Sequence, residues 1–216
     1  MKKFLLMITA VLFSLVISFS SCTSCNGNKE IPVTDSVLVD STGAQKAELV
    51  VENLVSMDRQ DMFNNYGKDY RWFETCIVMK DYLDAENDGT IAGVTNIFQI
   101  VEGDGKSFDT KVIMFTHIPD TAAVEVKNGF WVEDFPLNNE TIKVTFKQAF
   151  DKLMATNCPK PHSRHCVLRK EVGPKEANPQ YIFGNQTAQV YVDATTGEVK
   201  TSNPAFPEGF GYAFTW

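Results

Sequence analysis

Two amphipathic helical patterns, each followed by strand-forming segments, constrain the fold of this chain more than any other feature. Thr42 and Gln45 have the spacing of a capping box in front of the first pattern. Its apolar residues recur at helical spacing, at Ala47, Val50, Val51, Leu54 and either Val55 or Met57. We expect this helix to end near residues 64–67, where Asn-Asn-Tyr-Gly stands.

Strand signals dominate between this helix and residue 137. Segments rich in aromatic and β-branched residues predict strands over 70–79, 94–101 and 108–118. Glycine-containing triplets predict tight turns at 103–105 and at 127–129, and the second turn would separate short strands over 122–126 and 130–132. Residues 43–137 are therefore predicted to form one helix packed on an antiparallel meander.

The second helical pattern lies in the last third of the chain. Thr145 and Gln148 have capping-box spacing, and Pro159 is expected to end the helix. The apolar face consists of Phe146, Ala149, Phe150, Leu153 and Met154. Strand signals follow over 165–170, 179–184 and 187–193, and Gly197 suits a turn that needs positive φ. The predicted fold class is α+β: a helix on an antiparallel meander, followed by a helix on a small antiparallel sheet.

The end of this unit reads Val190-Tyr191-Val192-Asp193-Ala194-Thr195-Thr196-Gly197-Glu198-Val199. With the helix before it, the unit resembles the PepSY domain, whose last strand pair has a similar turn. The resemblance covers about residues 140–200 and implies a PepSY-like C-terminal region over 138–216. Members of that family occur in secreted and envelope proteins, where they are thought to bind or restrain partners such as peptidases. They have no catalytic residues to assign here, and the long 170–180 connection departs from their compact pattern.

The first 21 residues have the pattern of a secretory signal peptide. Two lysines precede an apolar run over 4–19, which is shorter than the roughly 20 residues that a spanning helix needs. Small residues then precede Cys22, as in a lipobox, the bacterial signal for attaching lipid to cysteine. Phe19 stands where that pattern usually has Leu, so an ordinary signal peptide or an uncleaved anchor remain alternatives.

These observations predict a domain order and a location. Residues 1–21 would be removed as a lipoprotein signal, Cys22 would carry lipid, and the polar stretch 22–42 would form a flexible tether. The folded part would then comprise the N-terminal α+β region over 43–137 and the C-terminal region over 138–216. We expect the protein to be lipid-anchored at the bacterial cell envelope, on the periplasmic or surface face of the outer membrane.

The charge balance limits the class of partner. The chain has 20 basic and 27 acidic side chains and a net charge of -7. Loss of Lys2 and Lys3 with the signal would make the mature protein more acidic still. Nucleic acids and anionic lipid surfaces attract basic faces, so neither is expected as the main partner.

The cysteines suggest one disulfide and one weak metal motif. Cys158 and Cys166 are candidates for a disulfide because the loop between them is short and contains two prolines. With His162 and His165 they also place four zinc-type ligands within nine residues. Structural zinc sites usually draw their ligands from two separate turns, so we predict no metal and no cofactor.

The C-terminus alternates aromatic and small residues. Phe210, Tyr212, Phe214 and Trp216 would share one face of a last strand. That face is expected to close the core, and the alternative is an exposed surface for a ligand, a glycan or a partner protein.

No catalytic motif is present in the sequence. His117, near the end of a predicted strand, is expected to be structural. Cys76 lies in an apolar run and is expected to be a buried thiol, because its activation would need a base that the sequence does not reveal. We therefore expect a non-enzymatic envelope module that binds another envelope protein, for example to restrain a peptidase. The alternative is a glycan- or small-ligand-binding protein that uses the aromatic C-terminal strand.

Overall fold

The computed structural model describes residues 48–84, 86–103, 108–132 and 134–207. A short 3-10 helix covers Asn139–Thr141. The other elements, in chain order, are α1 (Val51–Tyr66), β1 (Tyr70–Met79), β2 (Ile91–Gly103), β3 (Phe108–Ile118), β4 (Thr121–Asn128), β5 (Asp134–Phe135), α2 (Phe146–Ala155), β6 (His165–Glu171), β7 (Gln180–Asn185), β8 (Ala188–Asp193) and β9 (Val199–Lys200). No helix in these ranges is both long and apolar enough to cross a membrane.

The described strands form one antiparallel sheet. Its order is β4-β3-β2-β1-β6-β7-β8-β9, and the short β5 pairs with the end of β6. The predicted fold class is therefore wrong, because strands of both predicted regions join in a single sheet. Strand β1 pairs directly with β6, with Glu74 opposite Arg169. Two separate sheets would have left the edges of both strands with unpaired N–H and C=O groups, and this pairing satisfies them.

The turn predicted at residues 127–129 is wrong, and residues 130–132 do not form the short strand that was expected after it. The chain reverses at Pro119 and Asp120, where Asp120 has a φ of 71°. Strand β4 then runs without interruption through Lys127 and Asn128, which the sequence suggested as a turn. Asp tolerates the left-handed conformation better than most residues, so Pro-Asp supplies the reversal without glycine.

Several local predictions are confirmed. Strands β1 and β3 have the predicted bounds, and α2 begins with the predicted capping box between Thr145 and Gln148. Gly197 has a φ of 76° in the turn before β9. The capping box predicted at Thr42 and Gln45 lies outside the described residues.

The two helices and the sheet share one hydrophobic core. Helix α1 contributes Val51, Val55 and Met62, and α2 contributes four residues centred on Phe150. The two helices are linked directly, because the Glu52 carboxylate accepts a hydrogen bond from the backbone N–H of Phe146 (2.7 Å). The buried face of α1 differs from the predicted one: Val50 and Met57 are exposed, and Asp58 takes a core-facing position.

Candidate functional site

Strand β4 forms one end of the sheet, and all eight of its residues are exposed. The backbone N–H of Gly129 donates to the carbonyl of Thr110 (2.9 Å). This pair continues the β3–β4 register one step beyond Lys111 and Asn128. Hydrogen-bonded pairs alternate along an antiparallel ladder, so the odd-numbered residues of β4 bond to β3. The even-numbered residues direct their backbone N–H and C=O groups away from the sheet.

The outward-directed backbone groups belong to Ala122, Val124, Val126 and Asn128. Within the described ranges no second strand pairs with this side of β4. An unpaired strand edge is a template for another strand, and proteins usually blunt such edges. Here the only charged side chains on the strand are Glu125 and Lys127, which form an exposed ion pair (3.0 Å).

Exposed apolar side chains concentrate around this edge. Val124 and Val126 are 60% and 50% exposed, and Phe130 and Val132, just beyond the strand, are 66% and 76% exposed. With Ile118, these make five of the eleven large hydrophobic residues that are exposed in the described part of the chain. Such a concentration in one stretch of 15 residues is typical of a surface that contacts another molecule.

A second cluster is buried on the sheet face that points away from α1. The Arg169 guanidinium pairs with Glu171 and lies 3.7 Å from Oδ1 of Asp134. Trp131 Nε1 donates to Oδ2 of the same carboxyl (3.1 Å), and Glu74 lies beside it as a further acid. Asp134 Oδ1 and Arg169 Nε are both buried without a hydrogen-bond partner. The cluster therefore joins β1, β5 and β6 through charges that are imperfectly satisfied.

Burial favours the protonated form of two carboxyl groups in this cluster, those of Glu74 and Asp134. Burial raises the pKa of Glu74 to about 8, and burial also raises the pKa of Asp134. The Cys76 thiol donates to Oε1 of Glu74 (2.8 Å), so the structure does place an acid beside this cysteine. Neither of the two described grooves is lined by these side chains. The cluster lies within the packing of the sheet, at the junction of β1, β5 and β6.

A polar network connects α1 to β1, β2 and β3. These strands and β4 make up the half of the sheet that ends at the unpaired edge, which we call the open half. Asp58 is fully buried and accepts hydrogen bonds from Asn96 Nδ2 (2.7 Å) and from Nε2 of His117 (2.9 Å). Asn96 also accepts from the Thr75 hydroxyl (2.6 Å), to which Trp72 Nε1 donates (3.2 Å). The histidine is therefore a partner of a buried acid, and its structural role agrees with the expectation from sequence.

A shallow groove of about 410 Å³ lies between the end of α1 and the start of β1. Its lining includes Arg59, Phe63, Lys68, Tyr70 and Arg71. A smaller depression on the same side of α1 shares Arg59, Phe63 and Tyr70 with this groove. With Trp72, the groove combines three cationic side chains with three aromatic rings, which is a composition that suits an anion.

Several predicted site residues lie outside the described residues. Lipid attachment at Cys22 stays a prediction for that reason, and so does the role of the aromatic tail formed by Phe210, Tyr212, Phe214 and Trp216.

The predicted cysteine and histidine loop is described. Cys158 and Cys166 are free thiols in this structure, and the disulfide between them stays a prediction. Cys166 is fully buried on β6, and burial raises the pKa of its thiol well above the usual value. The His162 ring stacks on Tyr82 with 4.2 Å between centroids. Among the described residues no three His, Cys, Asp or Glu side chains are grouped so as to hold a metal ion, so His162 and His165 do not join the cysteines in a site.

The residues that matter most in these sites had only weak signals in the sequence. Asp58 stands at helical spacing between Val55 and Met62, where a core residue is expected. Glu74 interrupts the apolar run of β1, which also identifies it as a buried acid. No comparable signal brings Arg59 and Arg71 together, because they meet only once α1 has packed beside β1.

Comparisons with known proteins add no name to this description. No protein-family model matches the chain, and neither a curated protein nor a solved structure matches it. The resemblance of the C-terminal region to the PepSY domain stays a prediction.

Proposed function

We propose that this protein is a lipid-anchored module of the bacterial cell envelope that binds another envelope protein by strand addition to β4. The function is non-enzymatic: the partner contributes an extended segment that becomes the next strand of the sheet. The observation that carries this proposal is the outward-directed backbone of β4, which has no pairing strand in the described part of the chain.

Strand addition needs both free backbone groups and room for the incoming chain. The even-numbered residues of β4 provide the first, and the exposure of all eight residues provides the second. An antiparallel segment would exchange hydrogen bonds with Val124 and Val126 and cover their half-exposed side chains. Main-chain bonds would supply much of the affinity, and the side chains would select the partner.

The side chains of β4 state what the partner segment should look like. Glu125 and Lys127 project from one face, and Val124 and Val126 project from the other. An antiparallel strand would place an acid opposite Lys127 and then, two residues later, a base opposite Glu125. We therefore expect a partner segment of the pattern acid-x-base, with apolar residues at the intervening positions.

The signal pattern before Cys22 supports the location, and the polar stretch over 22–42 supports a tether that holds the domain away from the membrane. The PepSY resemblance supports a role in binding or restraining a partner. The alternative, a glycan-binding surface on the aromatic tail, concerns residues that are not described, and no described feature favours it.

The test is site-specific photocrosslinking in cells that make the full chain. A photoreactive residue replaces Ala123 in β4, and a control replaces Lys147 on the exposed side of α2. We expect the β4 probe to crosslink one envelope protein and the mapped peptide to be an extended acid-x-base segment. We expect the α2 probe to give no such product.

A matched pair of variants tests the backbone mechanism in the same cells. Val124→Pro removes an outward-directed N–H and leaves the bonds to β3 in place, because Pro is tolerated on the free side of an edge strand. Val124→Thr keeps the N–H. Loss of the crosslink with Pro and its retention with Thr would support strand addition. An undiminished crosslink with Pro, or equal crosslinking from the α2 probe, would reject it.

A further inference from the structure

The sequence of β4 itself fits the acid-x-base pattern that we expect of a partner segment. Glu125-Val126-Lys127 is an acid-x-base segment, so β4 can face a second copy of β4 in the antiparallel sense. If Val126 of each copy is paired with Val126 of the other, Glu125 of each copy stands opposite Lys127 of the other. Val124 then pairs with Asn128. All of these backbone pairs involve the outward-directed residues, as hydrogen bonding requires.

Neighbouring registers fit less well. Centring the pair on Glu125 brings two glutamates face to face, and like charges directly opposite each other are destabilising. Centring it on Val124 leaves Glu125 opposite Ala123 and gains no ion pair. The ion pair that Glu125 and Lys127 form within one chain is exposed, so exchanging it for pairs between copies costs little.

We infer that a second copy of this chain occupies the β4 edge, in a two-fold dimer centred on Val126. This inference rests on the proposed function because it uses the same edge, and it adds a form of regulation. The dimer covers the backbone groups that another envelope protein would need, so the partner must compete with self-pairing.

The contact is small, which makes the dimer readily reversible. Residues 124–128 of each copy would pair, far less than the surface that a permanent dimer buries. A common membrane surface would raise the effective concentration of two tethered copies, so a weak contact would still be populated there. An exchangeable dimer of this kind can give way to a partner segment with better side-chain fit.

Charge reversal provides a test on the full chain in detergent. We expect the wild-type chain to show a concentration-dependent dimer in sedimentation velocity. Glu125→Lys alone should weaken it at least tenfold, because it places Lys opposite Lys, and Lys127→Glu alone should do the same. An equimolar mixture of the two variants should form a heterodimer, since every charge again meets its opposite. Lys147→Glu, a charge reversal on α2, is the control and should leave the dimer unchanged.

The outcomes separate this inference from the proposed function. If each single variant associates weakly and their mixture associates as well as the wild type, the result supports the Val126-centred dimer. A wild-type chain that stays monomeric, or single variants that associate as well as the wild type, would overturn it. If the dimer is overturned but Val124→Pro still abolishes the crosslink from β4 to an envelope protein, the proposed function stands without the dimer. Failure of both experiments would reject both.

An independent observation concerns the groove beside α1. The chain has four arginines. Arg164 donates to the carbonyl of Met79 and Arg169 pairs with acids, whereas Arg59 and Arg71 have no acceptor among the described residues. Both of these unpaired arginines line the same groove, where Lys68 joins them. Three cations that face one groove without an acid repel each other, and an anion would relieve that repulsion.

From this placement we infer a binding site for a small organic anion, with a carboxylate or phosphate group joined to a flat ring. The guanidinium groups match the planar geometry of either oxyanion. Phe63, which is 44% exposed, and Tyr70 offer ring faces beside them. The volume of about 410 Å³ suits a ligand of small-molecule size rather than a polymer.

Calorimetry on the full chain tests this site with four probes: phenyl phosphate, benzoate, inorganic phosphate and phenol. We expect phenyl phosphate and benzoate to bind with dissociation constants of about 1 mM or lower, and the other two at least tenfold more weakly. Arg59→Gln with Arg71→Gln should abolish this binding, and raised salt should weaken it. Lys143→Gln with Lys175→Gln removes two exposed charges elsewhere and should have no effect. Equal binding of inorganic phosphate would refute the role of the ring, and binding that survives the double arginine variant would overturn the site.

Discussion

The two edges of this sheet are built in different ways. Strand β4 is eight residues long, exposed along its whole length and followed by exposed apolar side chains, whereas β9 has two half-buried residues. The chain beyond β9 folds back on the molecule, since the carbonyl of the buried Ala205 accepts a hydrogen bond from the N–H of Lys175. One edge is therefore a short, half-buried strand, and the other is a long strand that has no pairing strand on its outer side in the described part of the chain. Because sheets that leave long edges open risk unwanted pairing, this difference is the reason for proposing that β4 pairs with another strand.

The largest effect is expected where the open half is attached to α1. His117→Leu would leave the fully buried Asp58 carboxylate without its histidine partner, and breaking a buried pair in this way costs about 3–5 kcal/mol. Denaturant unfolding would measure this loss. If the open half were held by strand pairing alone, the variant would lose less than about 1 kcal/mol.

The control for His117→Leu also removes the Asp58 carboxylate, which that variant leaves buried without its histidine partner. Asp58→Asn combined with His117→Leu leaves a neutral amide that can still accept from Asn96. We expect the double variant to be more stable than His117→Leu alone. Equal stability would show that the loss comes from packing and not from a stranded charge.

A pair of glycine substitutions compares the tightness of packing in the β7–β8 hairpin with that at the open edge beside β4. Gly184, in the β7–β8 hairpin, has a φ of 132°, and a Cβ there would lie 2.0 Å from the carbonyl oxygen of Ala188. Gly129, just after β4, has a φ of 145° with no atom within 4 Å of the added Cβ. We expect Gly184→Ala to cost about 3 kcal/mol or more and Gly129→Ala about 1 kcal/mol, which is backbone strain alone. Thermal unfolding of both variants provides the measurement, and equal losses would contradict the difference between the halves.

Ionisation of Glu74, in the central strand β1, should make the free energy of unfolding depend on pH, whereas the two edge strands should contribute no such dependence. The folded state raises the pKa of Glu74 from 4.5 to about 8, so between these values it retains a proton that the unfolded chain has released. Glu74 therefore contributes stability that is complete below pH 4.5 and is lost as the pH rises through 8. Glu74→Gln cannot ionise and should be more stable than the wild type by up to about 5 kcal/mol at pH 8.5, with little difference at pH 4.5.

Unfolding curves at the two pH values decide this prediction. Glu125→Gln, at an exposed position of β4, is the matched control and should follow the wild type. Parallel pH profiles of the wild type and Glu74→Gln would show that the buried carboxyl does not set the response.

The sequence specified local elements far better than their assembly. The bounds of β1 and β3 and the cap of α2 follow from short-range patterns that survive in the fold. The pairing of Glu74 with Arg169 joins residues far apart in the chain, and no local pattern contains it. The same holds for the open edge, because the direction of backbone hydrogen bonds in β4 depends on its register with β3. Asp58 is the intermediate case, since its helical spacing marked a buried position although its partner was not visible.

The smallest effect on stability is expected at β4 itself. Val124→Pro removes an N–H that points away from β3, so the folded protein should lose less than about 1 kcal/mol. Ala123→Pro, one residue earlier, removes an N–H that bonds to β3 and should cost several times more. Equal losses in thermal unfolding would mean that the two sides of β4 have been assigned the wrong way round.

Amide hydrogen exchange along β4, measured residue by residue by NMR, tests the central claim most directly. At low concentration the amides of Ala122, Val124, Val126 and Asn128 should exchange rapidly, while those of Ala123, Glu125 and Lys127 should be protected by β3. When a second copy or a partner segment binds, the rapid set should become protected as well. Uniform protection before binding, or rapid exchange of the even-numbered amides that persists in the complex, would contradict the account.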